Sequence, residues 1–385
     1  MYWKCFALKN WIWIAAAFFL VLPPACSSGQ NKNNSTNNTA KNIIAAYNIS
    51  VDRSKLGISL NFYNFPNYLD PAIADKFEEV YGVKLILDYY DNNETMMAKL
   101  YAGGVGQYDL IVAPDFAASI LWKKKMIDRL NHDNIPNLRN LKQEFRQLPF
   151  DPGNIFSVCY QWGTTGFGVR SDLLKNGMKD IDSWRVFFDP KYQLGPFTML
   201  DDPRETIGAA LKYLGYSVNS TNPKELKEAE KILVSQKSRL IAYTGTSTAR
   251  DLLVSGDAVM VHNYSGDIYM AREELKTVEY VIPREGTVIW TDNIVIPVNA
   301  PHKYAAEVFI NFLLDAQIGA QLTHYTHYAS PNQASIPFIN PELKNSPLIF
   351  PTREMQKNME FLKDIGEAAK LYDEIWARLK ATGIH

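Results

Sequence analysis

An α/β protein of two lobes, each a mainly parallel sheet flanked by helices, is the fold the sequence predicts. Three observations lead there. From Ile58 to Lys125, β-rich runs alternate with amphipathic helical runs, and strand-helix-strand-helix-strand order implies a parallel sheet covered on both faces. A second set of the same kind starts at Phe197. The 385 residues, 46% hydrophobic and 21% charged, suffice for two separate cores.

The elements follow in order. Ile58 to Tyr63 alternates as a strand does, and Asn64 to Leu69 is a loop. Asp70 then serves as N-cap and Pro71 as first-turn residue of a helix with Ile73, Phe77 and Val80 on its apolar face, ended by Gly82. Val83 to Tyr90 is a strand, a helix runs through Thr95 and Leu100 to Gly103-Gly104, Tyr108 to Ala113 is a strand, and Ala117 to Lys125 is a helix. Ligands of such sheets sit beyond the carboxyl ends of the strands, where Phe65, Tyr68, Asp115 and Phe116 lie. Gly163, Gly166 and Gly168 fit either a backbone bend between lobes or a glycine-rich strand. Phe197–Leu200, a helix from Pro203, a charged helix Pro223–Val234, and strands near Leu240–Tyr243 and Ala258–Val261 form the second set. Trp290 to Ile296 is a further strand, and helices from Pro301 and around Glu354 to Lys380 close the chain.

The first residues read as a targeting segment. Lys4 and Lys9 precede an apolar run from Trp11 to Leu22, and those twelve residues fall short of the roughly 20 that span a bilayer. Pro23-Pro24-Ala25-Cys26 resembles a bacterial lipobox, which predicts a signal peptide over residues 1–25 and a lipidated Cys26. The polar stretch after it predicts a flexible tether over residues 26–56, with a reach of roughly 30 Å. Cys5 leaves with the signal and Cys26 carries lipid, so Cys159 has no disulfide partner. A net charge of -1 provides no broad basic field for nucleic acid.

Three short stretches could carry chemistry. In Trp290-Thr291-Asp292, strand alternation points the indole and the carboxylate the same way, an arrangement that suits an organic cation. The alternative is a half-buried tryptophan beside a surface aspartate. Asp202, Pro203 and Glu205 resemble a capping box where a strand feeds a helix, facing any cleft at the strand's carboxyl end. His262 to Asp267 joins another strand to a helix, and Tyr264 with Asp267 repeats the pairing of ring and acid. His324 and His327 stand three apart, but neither a third ligand nor an HExxH pattern accompanies them, so no metal is expected. No nucleophile elbow, Walker loop or dinucleotide fingerprint appears, and neither enzymatic activity nor a cofactor is expected.

Tyr63-Asn64-Phe65, Asn93-Glu94-Thr95-Met96, Tyr108 to Val112, Pro149 to Pro152, Trp162-Gly163, Asp201-Asp202-x-Arg204-Glu205 and Trp290-x-Asp292 together resemble the spermidine/putrescine-binding proteins of ABC importers. The resemblance covers the chain from about Leu60 to the last helix. It implies a type II periplasmic-binding-protein fold, with a first lobe of residues 57–163 and 290–336, a second of 164–289 and 337–385, and a ligand cleft between them. It implies an extracytoplasmic solute-binding lipoprotein that hands a polyamine to a membrane permease and, through it, to an ATPase. The family's ligand contacts fall on Phe65, Tyr68, Phe116, Asp202, Glu205, Tyr264, Asp267, Trp290, Asp292 and Tyr328. An acid at Asp267 is common in putrescine-binding relatives. A glutamine of the family falls on apolar Leu362.

A polyamine is a flexible apolar chain with ammonium groups. Carboxylates must replace the water those charges lose, while aromatic faces line the methylenes and add roughly 0.5–2 kcal/mol per good cation–π contact. Asp202, Glu205, Asp267 and Asp292 are enough for either putrescine or spermidine. Other readings of the same residues are a module for another small organic cation, a polyamine sensor, or an extracytoplasmic enzyme using His262 or His327.

Overall fold

The computed structural model describes residues 42–381 apart from Asp91 and Asn176. The strands are β1 (Ile43–Ala46), β2 (Ile49–Asp52), β3 (Ser59–Asn64), β4 (Lys84–Tyr89), β5 (Leu110–Pro114), β6 (Ser157–Arg170), β7 (Phe197–Leu200), β8 (Leu240–Thr244), β9 (Met260–Tyr264), β10 (Val278–Val281) and β11 (Ile289–Val295). The longer helices are α1 (Pro71–Tyr81), α2 (Asn93–Tyr101), α3 (Asp115–Lys123), α4 (Pro203–Tyr213), α5 (Pro223–Gln236), α6 (Thr246–Ser255), α7 (Ser265–Glu274), α8 (Lys303–Leu313), α9 (Ala316–Thr326) and α10 (Ala369–Ala381).

Local chemistry sets the ends of these elements. The Asp70 carboxylate accepts from the Ala72 N–H, Pro71 occupies the first turn, and Gly82 closes α1 with a left-handed φ of 71°. Asp202 caps α4 in the same way, accepting from Arg204 N and Glu205 N. Glu205 does not complete a capping box, because its Oε1 accepts from Thr165 Oγ1 instead. The helical run expected from Glu354 to Lys380 is broken: a single turn at Arg353–Gln356 is followed by irregular chain up to a short 3-10 turn at Gly366–Ala368, and α10 starts at Ala369.

Nine strands form one sheet in the order β8-β7-β9-β6-β11-β5-β3-β4, with β10 also paired to β6. Parallel pairing is confined to the flanks, where β3 joins β4 and β5 and where β7 joins β8 and β9. In the middle, β11 is antiparallel to both β5 and β6, and β6 is antiparallel to β9 and β10. The expected parallel lobes are therefore correct at their flanks and joined by an antiparallel seam.

The glycine-rich stretch is a continuous strand, buried along its whole length. Packing is what demands the glycines. A Cβ on Gly163 would lie 2.5 Å from Trp290 Cζ2, and one on Gly168 would lie 2.5 Å from Ile268 Cδ1.

Each half of the sheet has its own core. Phe62, Phe77, Phe309 and Phe312 are fully buried on one side of the seam, and Phe167, Phe187, Phe197 and Trp184 on the other. Such side chains contribute about 1.5–3 kcal/mol each on burial. Ile339, Leu343 and Ile349 pack with Phe145, Leu148 and Trp162, so the first half's packing extends past residue 336. Tyr372, Ile375 and Leu379 of α10 belong to the second core.

The tether expected over residues 26–56 is corrected from residue 43 onward. β1 and β2 form an antiparallel hairpin whose turn residues Tyr47 and Asn48 both have positive φ. The Tyr47 ring meets Phe312 edge-on at 4.7 Å, its carbonyl accepts from Asn311 Nδ2, and Val51 and Leu56 are fully buried. Enough apolar surface is present to order this stretch, which its weak periodicity does not reveal. The signal peptide, Cys26 and the polar stretch to residue 41 lie outside the described residues. Among the described residues, no helix is long and apolar enough to cross a membrane.

Candidate functional site

The site forms where the antiparallel seam meets the carboxyl ends of the parallel strands. Opposite β11, the register of β6 steps from Gln161 to Cys159 and leaves Tyr160 as the extra residue of a bulge. The Tyr160 hydroxyl donates to the Tyr68 carbonyl, and its ring meets Tyr68 at 5.4 Å. That contact fixes the loop after β3, and the Tyr68 hydroxyl then donates to Asp292 Oδ2 at 2.7 Å.

Aromatic rings line the space around this bond. Trp290 lies edge-on to Tyr264 at 5.6 Å and to Tyr328 at 5.1 Å, while Tyr68 meets Tyr328 at 5.6 Å and Phe65 at 5.7 Å. Two glycines make room for these rings. Gly163 backs Trp290, and a Cβ on Gly266 would sit 2.6 Å from Tyr328 Cε1. Burial and nearby acids raise the Tyr68, Tyr264 and Tyr328 phenols well above their ordinary range, so all three remain donors.

Carboxylates occupy both ends. At one, Asp267 on the first turn of α7 accepts from the Tyr328 hydroxyl at 2.5 Å. At the other, Asp202 and Glu205 stand at the start of α4. Glu205 is 4% exposed and its Oε2 has no partner, as does Trp290 Nε1. Burial raises Asp202 and Asp267, raises Glu205 well above its ordinary value, and raises Asp292 to about 7. In the last case the Tyr68 hydrogen bond opposes burial without cancelling it.

All ten residues singled out in the sequence are thus brought to one region. Phe116 joins through Arg204, whose guanidinium lies 5.7 Å from the Phe116 ring and 5.1 Å from that of Tyr372. Arg204 also donates to the Lys363 carbonyl and to Asn219 Oδ1. Beyond Phe116 and Arg204 is an open cavity of about 100 Å³, lined also by Glu94, Asp364, Tyr372 and Asp373. Burial and then the charge of Asp202 raise Glu94 to about 7.

Sequence reasoning placed Asp115 at the ligand-facing end of a strand without making it a ligand contact, and assigned no role to Arg204 or Thr165. Asp115 opens α3 beside Phe116; the signal available was an acid at the carboxyl end of a strand. The two histidines three apart do not converge. His324 Nε2 accepts from Asn340 N, and His327 Nε2 pairs with Glu273 at 2.9 Å. His262 is fully buried with its ring edge-on to Trp184, and burial lowers it to about 3. Leu362 packs into the first core. Among the described residues, no group of three or more metal-ligating side chains is assembled.

This arrangement, four acids that form no ion pair among the described residues and lie among rings in a dry space, is suited to replacing the hydration of an organic cation. The comparisons with known proteins agree in kind. A model of bacterial extracellular solute-binding proteins matches residues 72–352. The spermidine/putrescine-binding periplasmic protein of Escherichia coli K12 is 34% identical over 323 residues, covering 84% of this chain and 92% of that protein. The solved structure of the spermidine/putrescine ABC transporter substrate-binding protein of Streptococcus pneumoniae superposes with a TM-score of 0.72 at 26% identity, covering 84% of this chain and 98% of that one. A solved lipoprotein of Treponema pallidum gives a TM-score of 0.73 at 27% identity, covering 83% and 99%. With two sheet halves joined through β6 and β11, the fold is the type II periplasmic-binding-protein arrangement, and the chain belongs to the bacterial extracellular solute-binding protein family.

Proposed function

We propose that this protein captures a linear polyamine between its two lobes outside the cytoplasm and hands it, chemically unchanged, to an ABC importer. One observation carries the reading: Asp202, Glu205, Asp267 and Asp292 surround a nest of Tyr68, Tyr264, Trp290 and Tyr328, and although Arg204 and Arg250 bear on three of these acids, none of the four is in an ion pair among the described residues. An anion or a neutral sugar would leave those carboxylates uncompensated in a dry site, at several kcal/mol each. A chain of ammonium groups and methylenes satisfies acids and ring faces together. The names of the similar proteins from Escherichia coli and Streptococcus pneumoniae support spermidine and putrescine as the ligands.

In this reading Phe65, Tyr68, Phe116, Tyr264, Trp290 and Tyr328 hold the methylenes, and the four acids hold the ammonium groups. The lobes are residues 57–163 with 290–336, joined by the segment around Ile339 to Ile349, and 164–289 with α10. Closure brings Tyr328 to Asp267, and Lys123 to Asp364 at 2.7 Å. Mutual repulsion of the acids favours opening, and cation entry favours closing. Cys26 carries the lipid that holds the protein at a bacterial membrane, a proposal that the lipobox-like sequence supports.

Calorimetric titration with putrescine, cadaverine, spermidine and spermine, followed by chromatography of the recovered amine, tests the reading. The expected result is saturable binding of one intact polyamine per chain. Absence of binding by all four, or recovery of a modified amine, contradicts it. Labelling of Cys26 with a radioactive fatty acid in cells, lost in Cys26→Ser, tests the anchor.

A further inference from the structure

Asp115 stands one step past the Pro114–Asp292 pair that joins β5 to β11. It is 3% exposed. Its Oδ1 accepts from the Phe116 N–H at 2.7 Å, which fits its place at the start of a nine-residue helix; the Thr291 N–H also bears on the carboxyl, but Oδ2 has no partner within hydrogen-bond distance. The charged and titratable groups that bear on it come from three elements. They are Asp292 on β11, Arg204 and Glu205 on α4, and the buried Cys159 thiol on β6. Two of these are acids. The one cation, Arg204, already donates to Lys363 and Asn219 and lies over two rings. A helix start alone would need one acceptor oxygen; the second, buried and near other acids, completes no hydrogen bond to the protein. Burial raises this carboxyl to about 8, so in the ligand-free site it holds a proton at neutral pH.

We propose that Asp115 is a fifth ligand-contacting carboxylate, which releases its proton to solvent when a polyamine enters and biases the site toward a triamine over a diamine. The inference rests on the polyamine reading of the site. The proton passes to buffer, the ammonium groups keep theirs, and the new carboxylate charge is met by an ammonium. Of the five acids Asp115, Asp202, Glu205, Asp267 and Asp292, Arg204 and, beside Asp267, Arg250 offset two. A trication can neutralise the remaining three, whereas a dication leaves one that must stay protonated.

The test titrates spermidine and putrescine into the full chain and into Asp115→Asn, in buffers of different ionisation enthalpy, from about pH 6 to 8. Asparagine keeps the acceptor for the Phe116 N–H; Asp115→Ser, which also keeps a helix-capping oxygen, stands in should Asp115→Asn fold poorly. The wild type is expected to release roughly one more proton than the variant on binding spermidine, so its affinity climbs up to about tenfold more steeply per pH unit. The variant is expected to lose more affinity for spermidine than for putrescine. Unchanged proton release, or equal losses for the two amines, overturns the inference and leaves the polyamine reading standing. A wild type that binds neither amine contradicts the polyamine reading itself.

Discussion

The two ends of the site solve the same problem differently. At the α7 end, Asp267 sits on a first helical turn, Gly266 leaves space for the Tyr328 ring, and the Tyr328 hydroxyl supplies the carboxylate with a hydrogen bond from the opposite lobe. At the α4 end, Asp202 spends one oxygen on the helix cap, Glu205 keeps an unpartnered Oε2, and Asp115 keeps an unpartnered Oδ2. The first end is largely satisfied by the protein itself. In the proposed reading the second is left for a ligand cation, because a buried carboxylate without a partner costs about 1–3 kcal/mol or more. Asp292 lies between them, tied to Tyr68 on one side and open on the other. The α4 end should therefore govern affinity and its pH dependence, and the α7 end should govern closure.

The largest effect is expected at the middle. Asp292→Asn should weaken polyamine affinity by roughly 2–5 kcal/mol, as when a buried charge loses its partner. Calorimetry checks this, and an unchanged affinity would remove Asp292 from the site. Next, Glu205→Gln should weaken binding by about 1–3 kcal/mol and Asp267→Asn by less, since Asp267 already holds a neutral donor. The reverse order would break the comparison between the ends.

A third effect concerns the ligand-free protein. Folded Asp292 and Asp115 titrate near 7 and 8, above the ordinary carboxylate range. Their stabilising contribution is therefore complete below about pH 4 and lost as pH rises through those values. Between about pH 5 and 8 the unliganded protein should lose stability, seen as a falling Tm, and saturating spermidine should abolish the fall. A flat profile without ligand would contradict it. The smallest effect is steric. Gly266→Ala crowds the Tyr328 ring and should cost about 1–3 kcal/mol of stability, with affinity reduced through the displaced hydroxyl. Thermal unfolding and spermidine titration of that variant measure both.

Much of this was legible in the sequence, for stated physical reasons. Asp70, Pro71 and Gly82 announce α1 because caps are local chemistry, and Trp290 with Asp292 shares a face because strand side chains alternate. Residues that depend on distant partners were not legible. Gly163 reads equally as a hinge or a strand until Trp290 is seen lying against it. Glu205 looks like the far half of a capping box until Thr165, 40 residues away, takes its carboxylate. The hairpin at Ile43 to Asp52 is short and weakly periodic, and its stability comes from Asn137, Tyr304 and Asn311 far along the chain. Asp115 resembles an ordinary first-turn acid, and only its sealed second oxygen sets it apart.

The account stands on buried acids that hold protons in the free site and release them to solvent when a polyamine binds. Carboxyl-carbon NMR of the aspartates and glutamates, recorded against pH with and without spermidine, observes this directly. The account predicts at least two carboxyl resonances titrating near 7–8 in the free protein and moving below about 5 in the complex. Carboxyls that all titrate near 4 in both states would contradict it.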